Sequence, residues 1–165
     1  MRQGRMSSEM RDGTPPDRRG APRGGGQAPY GRRVRVLVVD DEPSICKALE
    51  IALGRAGFDA TTVQSGDAAV ELVRREHFDV LVVDLRIPDM RGDVVYWTLA
   101  AVQPHLQGQT LFVTGDITER AQRIIAQCNC PILHKPFDLR DILDAVAALA
   151  PWRPAADEAG GRREA

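Results

Sequence analysis

Nothing in this chain of 165 residues stays apolar for the ~18 to 20 consecutive positions that a membrane-spanning helix needs. Its N-terminal segment has no hydrophobic stretch able to act as a secretion signal, so the sequence predicts a cytoplasmic protein without membrane contact. Cysteine is scarce, with three in all. Cys46 lies inside a helical pattern, and Cys128 and Cys130 form a lone C-x-C, short of the four ligands a structural zinc site takes. Small buried hydrophobes in a reducing compartment are the expectation. The central part of the chain also lacks positive charge: residues 34–150 hold eleven basic side chains against seventeen acidic ones. A surface of that sign is no obvious partner for nucleic acid.

Large apolar residues are missing from both ends. Residues 1–32 carry seven Gly and four Pro, and residues 1–33 carry eight Arg against three acids. Such a segment cannot offset the entropy of ordering, so a disordered Arg/Gly/Pro-rich arm is expected over 1–32. The stretch "PWRPAADEAGGRREA", 151–165, reads as a disordered tail of the same kind, too short and polar for a DNA-binding output domain. One domain over 33–150 is left. His77, His105 and His134 fall on no recognisable bundle helix and are expected at the surface or at strand ends.

Within that domain two periods alternate. β-branched runs at 34–39, 60–63, 79–83, 110–113 and 131–133 are separated by helical patterns. After Pro43, Ile45, Leu49, Ala52, Leu53 and Ala56 share one face until Gly57 stops the helix. Ser65 can cap a second helix with Ala69, Leu72 and Val73 inside. A third, starting near Gly92, has Val95, Leu99 and Val102 as its inner face. A fourth turns Ile117, Ala121, Ile124, Ile125 and Cys128 one way, and a fifth, capped by Asp138, does so with Leu139, Ile142, Leu143, Val146 and Leu149. Five strands alternating with five helices over short connections predict an α/β doubly wound five-stranded parallel sheet, (βα)5, in the order 2-1-3-4-5.

In such a sheet ligands sit beyond the carboxyl ends of the strands. Here those ends carry Asp40 and Asp41, then Asp84, then Thr114, then His134 and Lys135; only the second strand, at the edge, ends apolar in Val63. Like carboxylates repel by about 4 kcal/mol per pair at 4 Å and an effective dielectric of 20, so three together call for a cation. A hard divalent ion suits oxygen ligands, and Mg2+ is typically held by one or two carboxylates plus phosphate oxygens.

The motifs "VLVVDDEPSI", "DVLVVDLRIPDMRG", "LFVTGD" and "LHKPFDLRDIL" stand in this order over about 34–148. On them the chain resembles the receiver domain of bacterial two-component response regulators, with a flavodoxin-like fold. The resemblance implies a phosphorelay role: Asp84 as phosphoacceptor for a phosphoryl group from a sensor histidine kinase or histidine phosphotransfer protein. It implies Asp40, Asp41, Asp84 and the backbone carbonyl of Arg86 as Mg2+ ligands, and Thr114 and Lys135 as the groups that grip the phosphoryl oxygens. It implies a cis bond before Pro136, and a switch that reaches an undetermined downstream protein through the face of the fourth helix, fifth strand and fifth helix. The family's aromatic residue three positions before the lysine is Ile132 here. "VTGD" and "CPILHKPFDL" are most similar to receivers of hybrid sensor kinases, so a stand-alone receiver or a piece of such a kinase is expected, with no enzyme activity of its own.

Three other readings compete. A haloacid dehalogenase-type phosphohydrolase also uses an aspartate nucleophile with magnesium, but it needs D-x-D where this chain has Asp40-Asp41-Glu42, and room for a substrate cap. A phosphorylation-independent interaction scaffold would not need the full set of Asp, Thr and Lys. In a nucleotide-binding tail, Trp152, Arg153, Arg162 and Arg163 would stack on and pair with a cyclic dinucleotide. Arg86 and Asp116 are further expected to face each other across the mouth of the site and to slow loss of the phosphoryl group.

Overall fold

A computed structural model of the protein describes residues 32–115 and 118–151. Five parallel strands, β1 (Arg35–Val39), β2 (Asp59–Val63), β3 (Val80–Asp84), β4 (Thr110–Thr114) and β5 (Ile132–His134), alternate with α1 (Pro43–Arg55), α2 (Gly66–Arg75), α3 (Gly92–Val102), α4 (Glu119–Cys128) and α5 (Leu139–Leu149). The sheet order is β2-β1-β3-β4-β5, as the alternation predicts. Strand ends differ from the expected ones by a residue, and a 3-10 turn at Pro104–Gly108 was not foreseen.

The sheet is covered on both faces because the side chains of each strand alternate. Leu37, Val39, Leu81, Val83 and Phe112 join one core with residues of α2, α3 and α4. Val36, Val38, Val80, Val82, Leu111 and Val113 join a second with Leu49 and Leu53 of α1 and Ile142 and Val146 of α5. All five residues of β3 and of β4 are buried, as for inner strands shielded on both faces. Of β2, at the edge, no residue is fully buried.

Local signals start α1, α2 and α5 where the sequence places them, whereas α4, expected to include Ile117, starts at Glu119. Pro43 opens α1, where its missing N–H is no loss. The Ser65 hydroxyl accepts from the Ala68 N–H and the Thr118 hydroxyl from that of Ala121. Asp138 stands at the cap of α5 without a side-chain cap hydrogen bond. Two expected inner residues are instead outside: Val102 is 40% exposed and Leu139 43%. On α3 the inward side belongs to Val95, Tyr96, Leu99 and Ala100. Val102 is the last residue of α3 and Leu139 the first of α5, so both stand at helix ends. Ile117 lies outside the described residues, as do the arm and the tail apart from Arg32 and Pro151.

Arg32, assigned to the arm by composition, binds the body. Its guanidinium donates to both oxygens of Asp79 at 2.8 and 2.6 Å, and Asp79 is 1% exposed.

Candidate functional site

β1 and β3 are neighbours in register, Val39 beside Val83, so Asp40 and Asp84 follow each other's strands at the same level of the sheet. Both are buried, at 3% and 5% exposure, and Asp41 is exposed beside them. The three carboxylates offer oxygens that all lie within 4.8 Å of one another. Each buried carboxylate is held by backbone: Asp40 accepts from the Glu42 N–H at 2.9 Å, and Asp84 from the Arg86 N–H at 2.8 Å. Cys46, at the first turns of α1, donates its thiol to the Asp40 carbonyl at 3.1 Å and so packs beneath the first strand end.

Lys135 reaches into this cluster from the far side of the sheet. Its ammonium donates to Asp40 Oδ2 at 2.8 Å and to Asp84 Oδ2 at 2.7 Å. The Lys135 N–H donates to the Thr114 carbonyl at 2.9 Å, which ties the lysine to the end of β4, and the Lys135–Pro136 bond is cis. Thr114 is fully buried and follows Val113, the register partner of Asp84. The structure therefore gathers Asp40, Asp41, Asp84 and Lys135 directly and sets Thr114 at the adjoining strand end. Asp116, expected to face Arg86, lies outside the described residues, as do Trp152, Arg153, Arg162 and Arg163. Ile132, on β5, is half-buried against the core shared with α2, α3 and α4.

Two of the three carboxylates share one ammonium, and the electrostatics show the shortfall. Burial pushes the Asp40 carboxyl above its ordinary range; the Lys135 ammonium and the Glu42 N–H oppose this, while Asp84 adds to it. For Lys135 burial works against the charge, yet the hydrogen bonds to Asp40 and Asp84 outweigh it and raise its pKa. The site thus retains excess negative charge, oxygen donors only and an opening at Asp41. This donor set fits a hard divalent cation: Lys135 already fills part of a cation's place between two of the carboxylates.

Gly92, expected from the sequence only as the start of a helix, also shapes the site. A Cβ at Gly92 would run into the carbonyl oxygen of Asp84 and lie 2.6 Å from the Leu85 Cα. Only glycine lets α3 begin this close to the strand end, and the Gly92 N–H donates to the Leu85 carbonyl at 3.2 Å. The signal was a glycine at a helix start a few residues after a strand-end aspartate, which spacing alone does not separate from an ordinary turn.

Comparisons with known proteins bear on the family and the fold. The sequence profile of the family described as "Response regulator receiver domain" matches residues 36–147. The chain is similar to the response regulator protein PilR of Pseudomonas aeruginosa, 37% identical over 77% of this chain and 28% of PilR. It is also similar to TcrX of Mycobacterium tuberculosis, 33% identical over 72% of this chain and 50% of TcrX. The chain thus spans half or less of these relatives' lengths. Among solved structures it resembles a response regulator of Burkholderia pseudomallei with a phosphorylated aspartic acid, calcium ion and citrate, at TM-score 0.62 and 25% identity, covering 70% of this chain and 69% of that one.

Proposed function

The chain belongs to the response regulator receiver domain family of two-component systems, and on that premise we propose that it takes a phosphoryl group from the phosphohistidine of a sensor kinase or histidine phosphotransfer protein onto Asp84. The observation that carries this reading is the grouping of buried Asp84 with Asp40, Asp41 and a single lysine at the carboxyl ends of β1 and β3. The likeness to a solved regulator described with a phosphorylated aspartic acid and a divalent cation supports it.

Asp84 Oδ attacks phosphorus, the phosphorus–nitrogen bond to the donor histidine breaks, and the imidazole leaves with its electron pair. Asp40, Asp41, Asp84 and the Arg86 carbonyl are the groups that would hold a divalent cation. Mg2+ supplies charge neutralisation at the attacking and transferred oxygens when bound. Backbone does the aiming: the Arg86 N–H holds Asp84 Oδ1, so the nucleophile has a fixed orientation before the donor arrives. Lys135, which bridges Asp40 and Asp84 in the resting site, keeps one proton donor for an oxygen of the new phosphoryl group. The Thr114 hydroxyl is proposed as a second donor, and its movement toward Asp84, with that of Lys135, would bias the surface of α4, β5 and α5. No described helix is long and apolar enough to cross a membrane.

The test is incorporation of phosphate from acetyl phosphate. Incorporation in the parent with Mg2+, its loss with a chelator and its loss in Asp84→Asn are expected. Full incorporation in Asp84→Asn would remove the assignment. A scaffold that works without phosphorylation predicts no incorporation at all.

A further inference from the structure

Helix α3, GDVVYWTLAAV, carries no charge after Asp93. Its inner side is Val95, Tyr96, Leu99 and Ala100, but its outer side is also apolar: Val94, Trp97 and Val102 are 39%, 48% and 40% exposed. The one hydroxyl there, on Thr98, donates to the Val94 carbonyl at 2.7 Å, so its hydrogen is spent within the helix. The other helices turn charge to water, with Lys47 and Glu50 on α1, Glu71, Arg74 and Arg75 on α2, Glu119 and Arg123 on α4, and Arg140 and Asp141 on α5. A helix that is apolar all round is one that folding normally covers on every side, and among the described residues nothing covers this one.

What would cover it is indicated by where the apolar face leads. One turn before Trp97 on the same side of α3 stands Asp93, which lines a cavity of about 420 Å³ between the N-terminal ends of α3 and α4. Its floor is Leu85, Ile87 and Ile124, and its charged walls are Arg86, Arg91 and Arg120 against Asp41 and Asp93. Asp93 is already paired within the wall, which leaves Arg86 and Arg120 against Asp41. Arg91 donates to both oxygens of Asp93, at 3.1 and 3.0 Å, and Asp41 belongs to the acidic cluster beside Asp84. The Arg86 guanidinium has no polar partner among the described residues. An apolar helix face running into an arginine-walled cavity selects an occupant with aliphatic or aromatic anchors followed by carboxylates.

We infer that α3 and the groove between α3 and α4 dock an acidic, apolar-anchored segment of a partner protein, with apolar side chains on Val94 and Trp97 and carboxylates at Arg86 and Arg120. A second copy of the chain fits less well. Three half-exposed side chains offer on the order of a few hundred Å², against roughly 800 Å² per partner in stable complexes. The cavity wall includes Leu85 and Arg86, which directly follow Asp84, so docking and phosphorylation would act on one loop and influence each other reciprocally. That linkage rests on the phosphoacceptor reading; the docking does not.

The test is selection of displayed random peptides on the full chain, followed by binding of the enriched peptides, dye-labelled, in solution. Enriched peptides should combine a Phe, Leu or Trp anchor with two or more acids. Trp97→Ala should weaken their binding, and Arg120→Glu, at an exposed position, by about tenfold or more, as for loss of a close charge pair. Replacement of the peptides' acids by amides should weaken it alike. Both variants should keep the parent's rate of phosphate incorporation from acetyl phosphate, so failure at Asp84 and failure of the groove are read separately. Enrichment of peptides without net negative charge, or binding that neither variant changes, would overturn the inference. So would a chain dimer, seen by sedimentation, that Trp97→Ala dissociates, because the occupant would then be a second copy.

Discussion

Each end of the sheet buries an aspartate beside a cation, and the two ends do opposite things with it. At the amino ends of the strands, Asp79 is 1% exposed. It takes two hydrogen bonds from Arg32 and one from the Arg35 N–H at 2.8 Å, with His77 Nε2 at 3.3 Å. Burial would raise its pKa, but Arg32 and the Arg35 N–H more than offset this and hold the carboxyl below the ordinary range. The surroundings are closed in the same way. Gln103 Nε2 donates to the Val73 and Glu76 carbonyls, its Oε1 accepts from the Phe78 N–H, and His105, stacked on His77, donates to the Phe78 carbonyl. At the carboxyl ends, Asp40 and Asp84 share one ammonium, with Asp41 beside them. There burial prevails and the Asp40 pKa is raised. A satisfied carboxylate makes a clasp; an under-compensated pair makes a site that gains by binding a cation.

The comparison breaks first at the clasp. In Asp79→Ala, Arg32, whose side chain is 42% exposed, returns to water, but the Arg35 N–H is left without its acceptor. The expected loss is about 1–3 kcal/mol, the cost of stranding a buried donor, read as a lower urea midpoint. No loss would mean that the clasp is ornamental. At the other end the sign reverses on adding metal. Mg2+ at about 100 times its dissociation constant should stabilise the parent by ~2.7 kcal/mol in thermal unfolding. Asp41→Ala should lose most of that gain, whereas Asp79→Asn should keep it. Smaller still, Asp84→Asn without metal removes a like charge, so its stability should stay within about 1 kcal/mol of the parent or rise above it. A drop as large as that of Asp79→Ala would show that the two ends do not differ.

The smallest effect is in acid. A carboxyl whose folded pKa is lowered stabilises the fold above its unfolded value, near 3.9, and that contribution is lost as pH falls through the folded value. Urea midpoints should therefore fall less steeply below about pH 4 in Asp79→Asn than in the parent. Equal slopes would show that Asp79 is not the group responsible.

The sheet order, the helices and the cluster of Asp40, Asp41, Asp84 and Lys135 were legible because each rests on a short-range regularity. Apolar periodicity marks the elements, and polar residues at strand ends stand out against it. The clasp was not legible. Asp79 opens a strand-like run and Arg32 closes an arginine-rich arm, and no local pattern says that residues 47 apart form a two-point contact. The inward turn of Tyr96 in place of Val102 was hidden for a related reason. A helix with apolar residues on all sides has no face that sequence can favour, so packing against α2 and the 3-10 turn decides. The role of Gly92 at the site escaped because the need for it comes from the Asp84 carbonyl that α3 approaches, a neighbour that only the fold provides.

The central proposal is that Asp84, beside Asp40, Asp41 and Lys135, and not the clasped Asp79, receives the phosphoryl group with metal. The direct measurement is to treat the full chain with acetyl phosphate, with Mg2+ or with chelator, trap any acyl phosphate by borohydride reduction and locate the reduced residue by peptide mass spectrometry. The account predicts reduction at Asp84 with Mg2+ and none with chelator. Reduction at Asp79, Asp40 or another aspartate, or at Asp84 to the same extent without metal, would contradict it.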